Sequence, residues 1–328
     1  MMKAIIFEQP GNPDDVLRLD DVPLPDIGEE QVLIKVDARP IQPADFLFIG
    51  GHYRIKPVFP QSAGLEGVGT VVECGLKVTQ LGAGDRVAFR SPGAWAELAV
   101  APVSRVYPVP SEIPVEVASQ FALNPFAAWG LLDECNLSGP SRILFTAGFS
   151  IVARLMVELS RRRGLEATLL VMKNGGYSAF DSRNNDVIAS GATVAETLQA
   201  FGATGYFDAI IDAVGGSDSL ALIDALKSSG RLISYGVLDD SEFVFRASRI
   251  LYKNMKWQGF GIDGWLDNAP ANKMERAQQE LWEMLSTQPD LMPVIGRFEL
   301  YRFQEAIRVT REKQQPGKVL LVNGDISQ

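Results

Sequence analysis

The run LFTAGFSIVARLM (144–156) joins an apolar stretch to a glycine turn and then to a helical pattern. That order suits a loop that cradles a phosphate. Small residues let the backbone approach the anion, and the helix N-terminus supplies free N–H groups. The frame Gly-x-Gly-x-x-Gly/Ala falls on Gly148, Phe149, Ser150, Ile151, Val152 and Ala153. Gly148 makes the tight turn. Ser150, in the second glycine's place, is small and can hydrogen-bond a phosphate, and Ala153 is tolerated in the third. Ile151 is the awkward residue, because it is β-branched where a phosphate needs room. The same residues also describe a βα turn that binds nothing. About 20 residues further on, an NAD site usually carries Asp or Glu for the ribose. Here Lys173 and Asn174 stand there instead. A cation at that place suits the 2′-phosphate of NADP, the alternative being a surface lysine at a strand end.

Metal chemistry finds little support. The chain has two cysteines, Cys74 and Cys135, and one histidine, His52. A His/Cys zinc site would need all of them together, and no metal-ligand spacing is present, so no metal is expected. The net charge is −9 and the pI about 4.9, with no basic run beyond Arg161, Arg162 and Arg163. That balance argues against nucleic acid as a main partner but leaves room for a small anion in a locally positive pocket. The three arginines end a helical pattern, where they favour the negative end of its dipole. The start, MMKAIIFEQPG, has no long apolar core, and no apolar run reaches transmembrane length. The expectation is a cytoplasmic protein with no membrane partner.

Two kinds of architecture must position these groups. Residues 3–110 alternate short apolar runs with Gly, Pro and Asp. KAIIF, QVLIKVDA, VGTVVECG, DRVAF, WAELAV and RVYPVP read as strands of a Gly-rich, partly open antiparallel barrel. Helical spacing then begins near Ser111 and Pro114. From residue 142 the pattern alternates. RILFT, EATLLVM, FDAIIDAVGG and RLISYGV read as strands between helices at 150–163, TVAETLQAF and DSLALIDALKSSG, the last closed by Gly230. Near-continuous apolar strands alternating with helices imply a doubly wound parallel sheet, with ligands at the carboxyl ends of its strands. NGGYSAFDSRNNDVI, after Lys173, is poor in helix formers and reads as a short or frayed sheet-flanking helix. A helix NKMERAQQELWEMLSTQ precedes the C-terminal tail.

Several stretches resemble the medium-chain dehydrogenase/reductase superfamily, in order along essentially the whole chain. They are GLEGVGTVVECGLKVTQLGAGDRVAF (64–89), LNPFAAWGLL (123–132), DAVGG (212–216), LISYGV (232–237) and PGKVLLV (316–322). The resemblance implies an α/β fold with a GroES-like barrel domain at 1–112 and 265–328 and a Rossmann domain at 113–264. It also implies a homodimer. Zinc members of the superfamily carry a Cys near the first loop and a His before the Glu of GLEG. Here Leu65 precedes Glu66 and QPADF holds no Cys, so the chain is similar to zinc-independent members.

Two subfamilies compete, the 2-enoyl thioester reductases of the mitochondrial type and the NADPH:quinone reductases. IQPADFLFIGGHYRIKPVFPQSAGLEG (41–67) resembles the enoyl reductase loop that carries a tyrosine, here Tyr53. YGVLDDSEFVFRASRILYKNMKWQGFGIDGWL (235–266) resembles the segment through the cofactor and acyl pocket, with Phe260 and Trp265. The implied reaction uses NADPH. A hydride adds to Cβ of a conjugated thioester, and Tyr53 supplies the proton to Cα. His52 neighbours Tyr53, but adjacent residues of an extended segment point to opposite faces, so one site does not use both. By the same resemblance Gln42, Asn124 and Lys318 lie near the nicotinamide, with Lys318 equally readable as a surface lysine. Val214, Gly215, Tyr235, Gly236, Val237 and Phe260 would pass the cofactor, and Phe260 and Trp265 would line the substrate pocket. Three features depart from the family pattern: Ile151 in place of Gly, Ala127 where many relatives have Thr, and the shortened segment after Lys173. All lie on the cofactor side. They keep open a third reading, a fold-retaining protein with impaired or altered cofactor binding.

Overall fold

The computed structural model describes residues 1–312 and 317–324. Pro316 of the PGKVLLV motif lies outside the described residues. The chain divides into two compact units, one of Met1–Pro125 with Gln279–Gln328, the other Phe126–Gln278. The resemblance had implied breaks at 112/113 and 264/265.

The first unit begins with β1 (Met2–Phe7), β2 (Arg18–Val22), β3 (Gln31–Ile41), β4 (Gln61–Ser62), β5 (Glu66–Cys74), β6 (Arg86–Arg90), β7 (Leu98–Pro102) and β8 (Val106–Pro108). The second unit holds β9 (Arg142–Phe145), β10 (Glu166–Lys173), β11 (Gly176–Asp181), β12 (Val187–Gly191), β13 (Phe207–Asp212), β14 (Leu226–Ser234) and β15 (Lys256–Gly259). The chain then returns to the first unit with β16 (Val294–Glu299) and β17 (Lys318–Val322).

In the first unit β1 sits between β2 and β4, and a larger sheet runs β16-β17-β3-β5-β6-β8, with β7 also paired to β3. The curved sheets do not close into a barrel. Every pair is antiparallel except β16 with β17, which is parallel. Alternation along β3 buries Val32, Ile34 and Val36 against Val71, Val87 and Phe89. A second cluster gathers Phe7, Phe48, Trp95 and Phe303 around β1 and the helix Pro43–Ile49. That helix starts with Pro at its first position and is capped by its own third residue. The Asp45 carboxylate accepts the Gln42 N–H at 2.9 Å.

The second unit is one seven-stranded sheet in the order β12-β11-β10-β9-β13-β14-β15. From β10 through β15 it is parallel, as the apolar strands required. The helix Ile151–Arg162 follows β9 and buries Ile151, Ala153, Leu155, Met156 and Leu159. Two expectations are corrected here. The segment after Lys173 is not a frayed helix but the hairpin β10–β11, extended by antiparallel β12. Lys173 pairs with Gly176 across a two-residue loop, Asn174-Gly175, whose φ values are +54° and +78°. Positive φ at both positions is what a type I′ turn demands, and Asn-Gly is the pair that tolerates it best. The helix read as ending at Gly230 stops at Ala225, and Gly230 lies within β14.

Candidate functional site

Each unit contributes a set of residues, described separately. In the second unit a cavity of about 500 Å³ opens at the carboxyl ends of β9, β10 and β13. Its walls are largely apolar: Leu170, Val171, Met172, Val194, Leu222 and Leu238. Phe149, Ser150 and Val214 also line it. Ser150 is the N-cap of the helix Ile151–Arg162, its hydroxyl accepting the Ala153 N–H at 3.2 Å. It also hydrogen-bonds the Tyr235 phenol, and burial pushes that phenol's pKa up. Ile151 is buried and is not among the residues lining the cavity. Val152, half-buried, follows it in the same first turn. Gly148 packs so closely on β10 that a Cβ would meet Leu169 Cβ at 2.6 Å. Gly236 runs against the Ala213 backbone, and Gly215 bridges to Asp239.

The cavity's charge is unusual for an anion site. Asp212, Asp218 and Asp239 line it, and no Lys or Arg is among its lining residues. Asp212 is fully engaged. It accepts from the Thr146 hydroxyl at 2.7 Å and from the Val214 and Gly215 N–H groups at 3.0 and 3.1 Å. Asp218 accepts from the Tyr177 hydroxyl at 2.8 Å, which ties the hairpin to the helix Ser219–Ala225. That bond raises the Tyr177 pKa to about 12. Lys173 and Asn174 are exposed at the hairpin turn and do not line the cavity, although the preceding Met172 does. Val237 is exposed. Phe260 and Trp265 lie elsewhere. Both abut Gly130, and Trp265 packs on Trp129 with ring centroids 5.7 Å apart.

In the first unit Gln42, Asn124 and Lys318 are all buried, together with three residues that the sequence reading did not single out: Asp45, Glu66 and Arg90. Gln42 Nε2 donates to Glu66, and Asn124 Nδ2 donates to Gln42 Oε1 at 3.2 Å. Arg90 Nη2 donates to the Tyr53 hydroxyl at 2.9 Å. Burial pushes the Glu66 carboxyl up to about 8 against the pull of Arg90. It pushes Asp45 up to about 7, against hydrogen bonds from the Gln42 and Leu65 backbone and the charges of Lys318 and Arg90. Around Tyr53 the loop alternates. His52, Arg54 and Lys56 are exposed, whereas Tyr53 and Ile55 pack against the core. The missed acids carried a visible signal: QPADF puts a carboxylate three residues after Gln42, at a helix start, and the Glu of GLEG opens a buried strand. Among the described residues, no three His, Cys, Asp or Glu side chains gather to hold a metal. No helix among them is long and apolar enough to cross a membrane.

An adenosine fits the second unit's cavity by size and by its apolar walls, and the first-turn N–H groups beside Ser150 suit a pyrophosphate. A 2′-phosphate would find no Lys or Arg among the lining residues; Lys173 stands at the hairpin turn, next to Met172, which lines the cavity.

Residues 28–111 match the family described as alcohol dehydrogenase GroES-like domain, and residues 179–321 match zinc-binding dehydrogenase. The mitochondrial enoyl-[acyl-carrier-protein] reductase of Xenopus tropicalis is 28% identical over 307 residues, covering 91% of this chain and 86% of that protein. The human enzyme of the same name is 26% identical over 336 residues, covering 98% and 88%. Among solved structures, a Pseudomonas syringae quinone oxidoreductase superposes with a TM-score of 0.82 at 21% identity, covering 98% of this chain and 100% of the other. The Escherichia coli quinone oxidoreductase complexed with NADPH gives 0.80 at 19%, with the same coverage. At such identities these structures establish the fold.

Proposed function

Because this chain belongs to the medium-chain dehydrogenase/reductase superfamily, we propose that it is an NADPH-dependent oxidoreductase that reduces an activated C=C bond, of the 2-enoyl thioester class. The observation that carries this reading is the Tyr53 phenol, half-buried on a cationic partner, in a chain whose similarity to enoyl reductases runs nearly end to end.

When bound, NADPH supplies a hydride to Cβ. The chain's own residues do the rest. The helix N-terminus at Ser150 holds the pyrophosphate, the apolar walls of the cavity hold the adenine, and Lys173 meets the 2′-phosphate. Gln42 and Asn124, hydrogen-bonded to each other, present amides toward the nicotinamide and substrate. Tyr53 delivers a proton to Cα. Lys318 supports this cluster from β17, and Phe260 and Trp265 contact the acyl chain. The working form is a homodimer.

The test is NADPH oxidation with a crotonyl thioester and with a quinone, for the wild type and Tyr53→Phe. A general acid contributes roughly 10²- to 10⁴-fold. Tyr53→Phe is therefore expected to lower thioester turnover by about that factor and to leave NADPH affinity unchanged. Turnover of quinones alone, insensitive to Tyr53→Phe, would favour an NADPH:quinone oxidoreductase, the activity named for several structural relatives. No binding of any nicotinamide nucleotide would favour the fold-retaining reading, for which the carboxylate-lined cavity is the specific observation.

A further inference from the structure

Arg90 is the last residue of β6, and it is buried. Its position is fixed by strand pairing, with Glu66 of β5 directly opposite in the ladder. A guanidinium does not deprotonate in proteins and has no acceptor to offer. Arg90 can therefore meet the Tyr53 oxygen only as a cationic donor, and at 2.9 Å it does. Asp45 and Glu66 lie in the same buried cluster, near enough for Arg90 and Lys318 to pull on both carboxyls.

We propose that Arg90 is the positioning residue that makes Tyr53 a proton donor. It donates to the phenol oxygen and is placed to stabilise the phenolate that remains when the proton leaves. This rests on the reading of Tyr53 as the donor. Bound NADPH would supply the hydride, with its electron pair, to Cβ, and the acceptor would then carry the charge as an enolate. The Tyr53 O–H bond breaks and its proton forms the new C–H bond at Cα. The phenolate that remains accepts a charge-assisted bond from Arg90, and solvent returns the proton. A hydrogen bond to an ionised oxygen is roughly twice as strong as one to a neutral oxygen. The Arg90 contact therefore strengthens as the proton leaves, which is the differential stabilisation that lowers a barrier. A carboxylate in the same place would favour the protonated phenol and oppose the step.

The experiment is a double-mutant cycle on the full chain, with NADPH and a crotonyl thioester as probes. The variants are Tyr53→Phe, Arg90→Met, Arg90→Lys and the double variants. Arg90→Met is expected to lower kcat by about 10- to 100-fold, the range of a lost charged hydrogen bond. KM and NADPH affinity should stay within about twofold, as expected for an interaction made mainly in the transition state. Arg90→Lys, a shorter point charge, should recover part of the loss. In the Tyr53→Phe background either Arg90 substitution should change kcat by less than about twofold. Multiplying effects would overturn the proposal, because Arg90 would then act independently of the phenol. So would an unchanged kcat in Arg90→Met. If Arg90→Met fails to fold, Arg90→Lys carries the cycle in both backgrounds. A Tyr53→Phe variant with full turnover would sink the donor reading itself and this proposal with it. A crippled Tyr53→Phe with multiplying Arg90 effects would leave the donor reading standing and remove this proposal alone.

Discussion

Asp45 and Glu66 are acids held where a charge is costly. Their carboxyls ionise in the unfolded chain near 3.8 and 4.5 and in the folded chain near 7 and 8, because burial outweighs the cations beside them. The sign follows directly. Below pH 4 both states carry the protons, and nothing changes. Between about pH 4 and 8 the folded state binds more protons than the unfolded state, so stability falls as pH rises. One group displaced in this way contributes a slope of up to about 1.4 kcal/mol per pH unit. Denaturant unfolding across pH 5 to 9 should therefore show stability declining toward the alkaline side. Glu66→Gln, which stays neutral and keeps an oxygen for Gln42 Nε2, should flatten part of that decline. A wild-type profile that is flat over this range would mean that Arg90 and Lys318 dominate and that both acids are ionised throughout.

At the scale of elements, the hairpin is where sequence and structure part. Strands β9, β10 and β13 and the helix Ile151–Arg162 were legible because apolar runs and helical spacing are local signals. The segment 174–188 was misread because Gly175, Gly176 and a run of Asn were counted as poor helix formers. Asn174-Gly175 between two alternating runs was the better signal, and it specifies a turn rather than a failed helix. A Cβ at Gly175 would meet nothing within 4 Å, so Gly175→Ala carries only the backbone penalty of a left-handed conformation. That penalty is about 1 kcal/mol, and thermal unfolding should show it as a drop of a few degrees. Asn174→Ala should add a smaller loss. No drop for Gly175→Ala would mean that the chain does not form this turn. The hairpin also brings Tyr177 to Asp218, a tertiary pair 41 residues apart that no local pattern announces. Likewise, the buried cluster of Gln42, Asp45, Glu66, Arg90 and Lys318 draws on three strands and a helix start. Its members were visible singly, and their juxtaposition needed the sheet.

For the molecule as a whole, the resemblance along the chain pointed to a GroES-like and a Rossmann-like part, but not to the charge of the second unit's cavity. That charge emerges only when Asp212, Asp218 and Asp239 come to line one space. On a chain with net charge −9, preference for a 2′-phosphate has to come from a specific cation, and Lys173 is exposed at the turn beside the cavity. An exposed charge pair contributes up to about 1 kcal/mol, or roughly fivefold in affinity. Lys173→Ala should therefore weaken NADPH by about two- to fivefold in calorimetric titration and leave NADH unchanged, with the difference fading at high salt. Asp218→Asn should act the opposite way and favour NADPH more than NADH, because it removes a negative charge from the space that the more highly charged nucleotide enters. If Lys173→Ala affects both nucleotides equally, the lysine is an ordinary surface residue. Discrimination between them, if any, would then have to arise from the carboxylates alone and would run toward NADH.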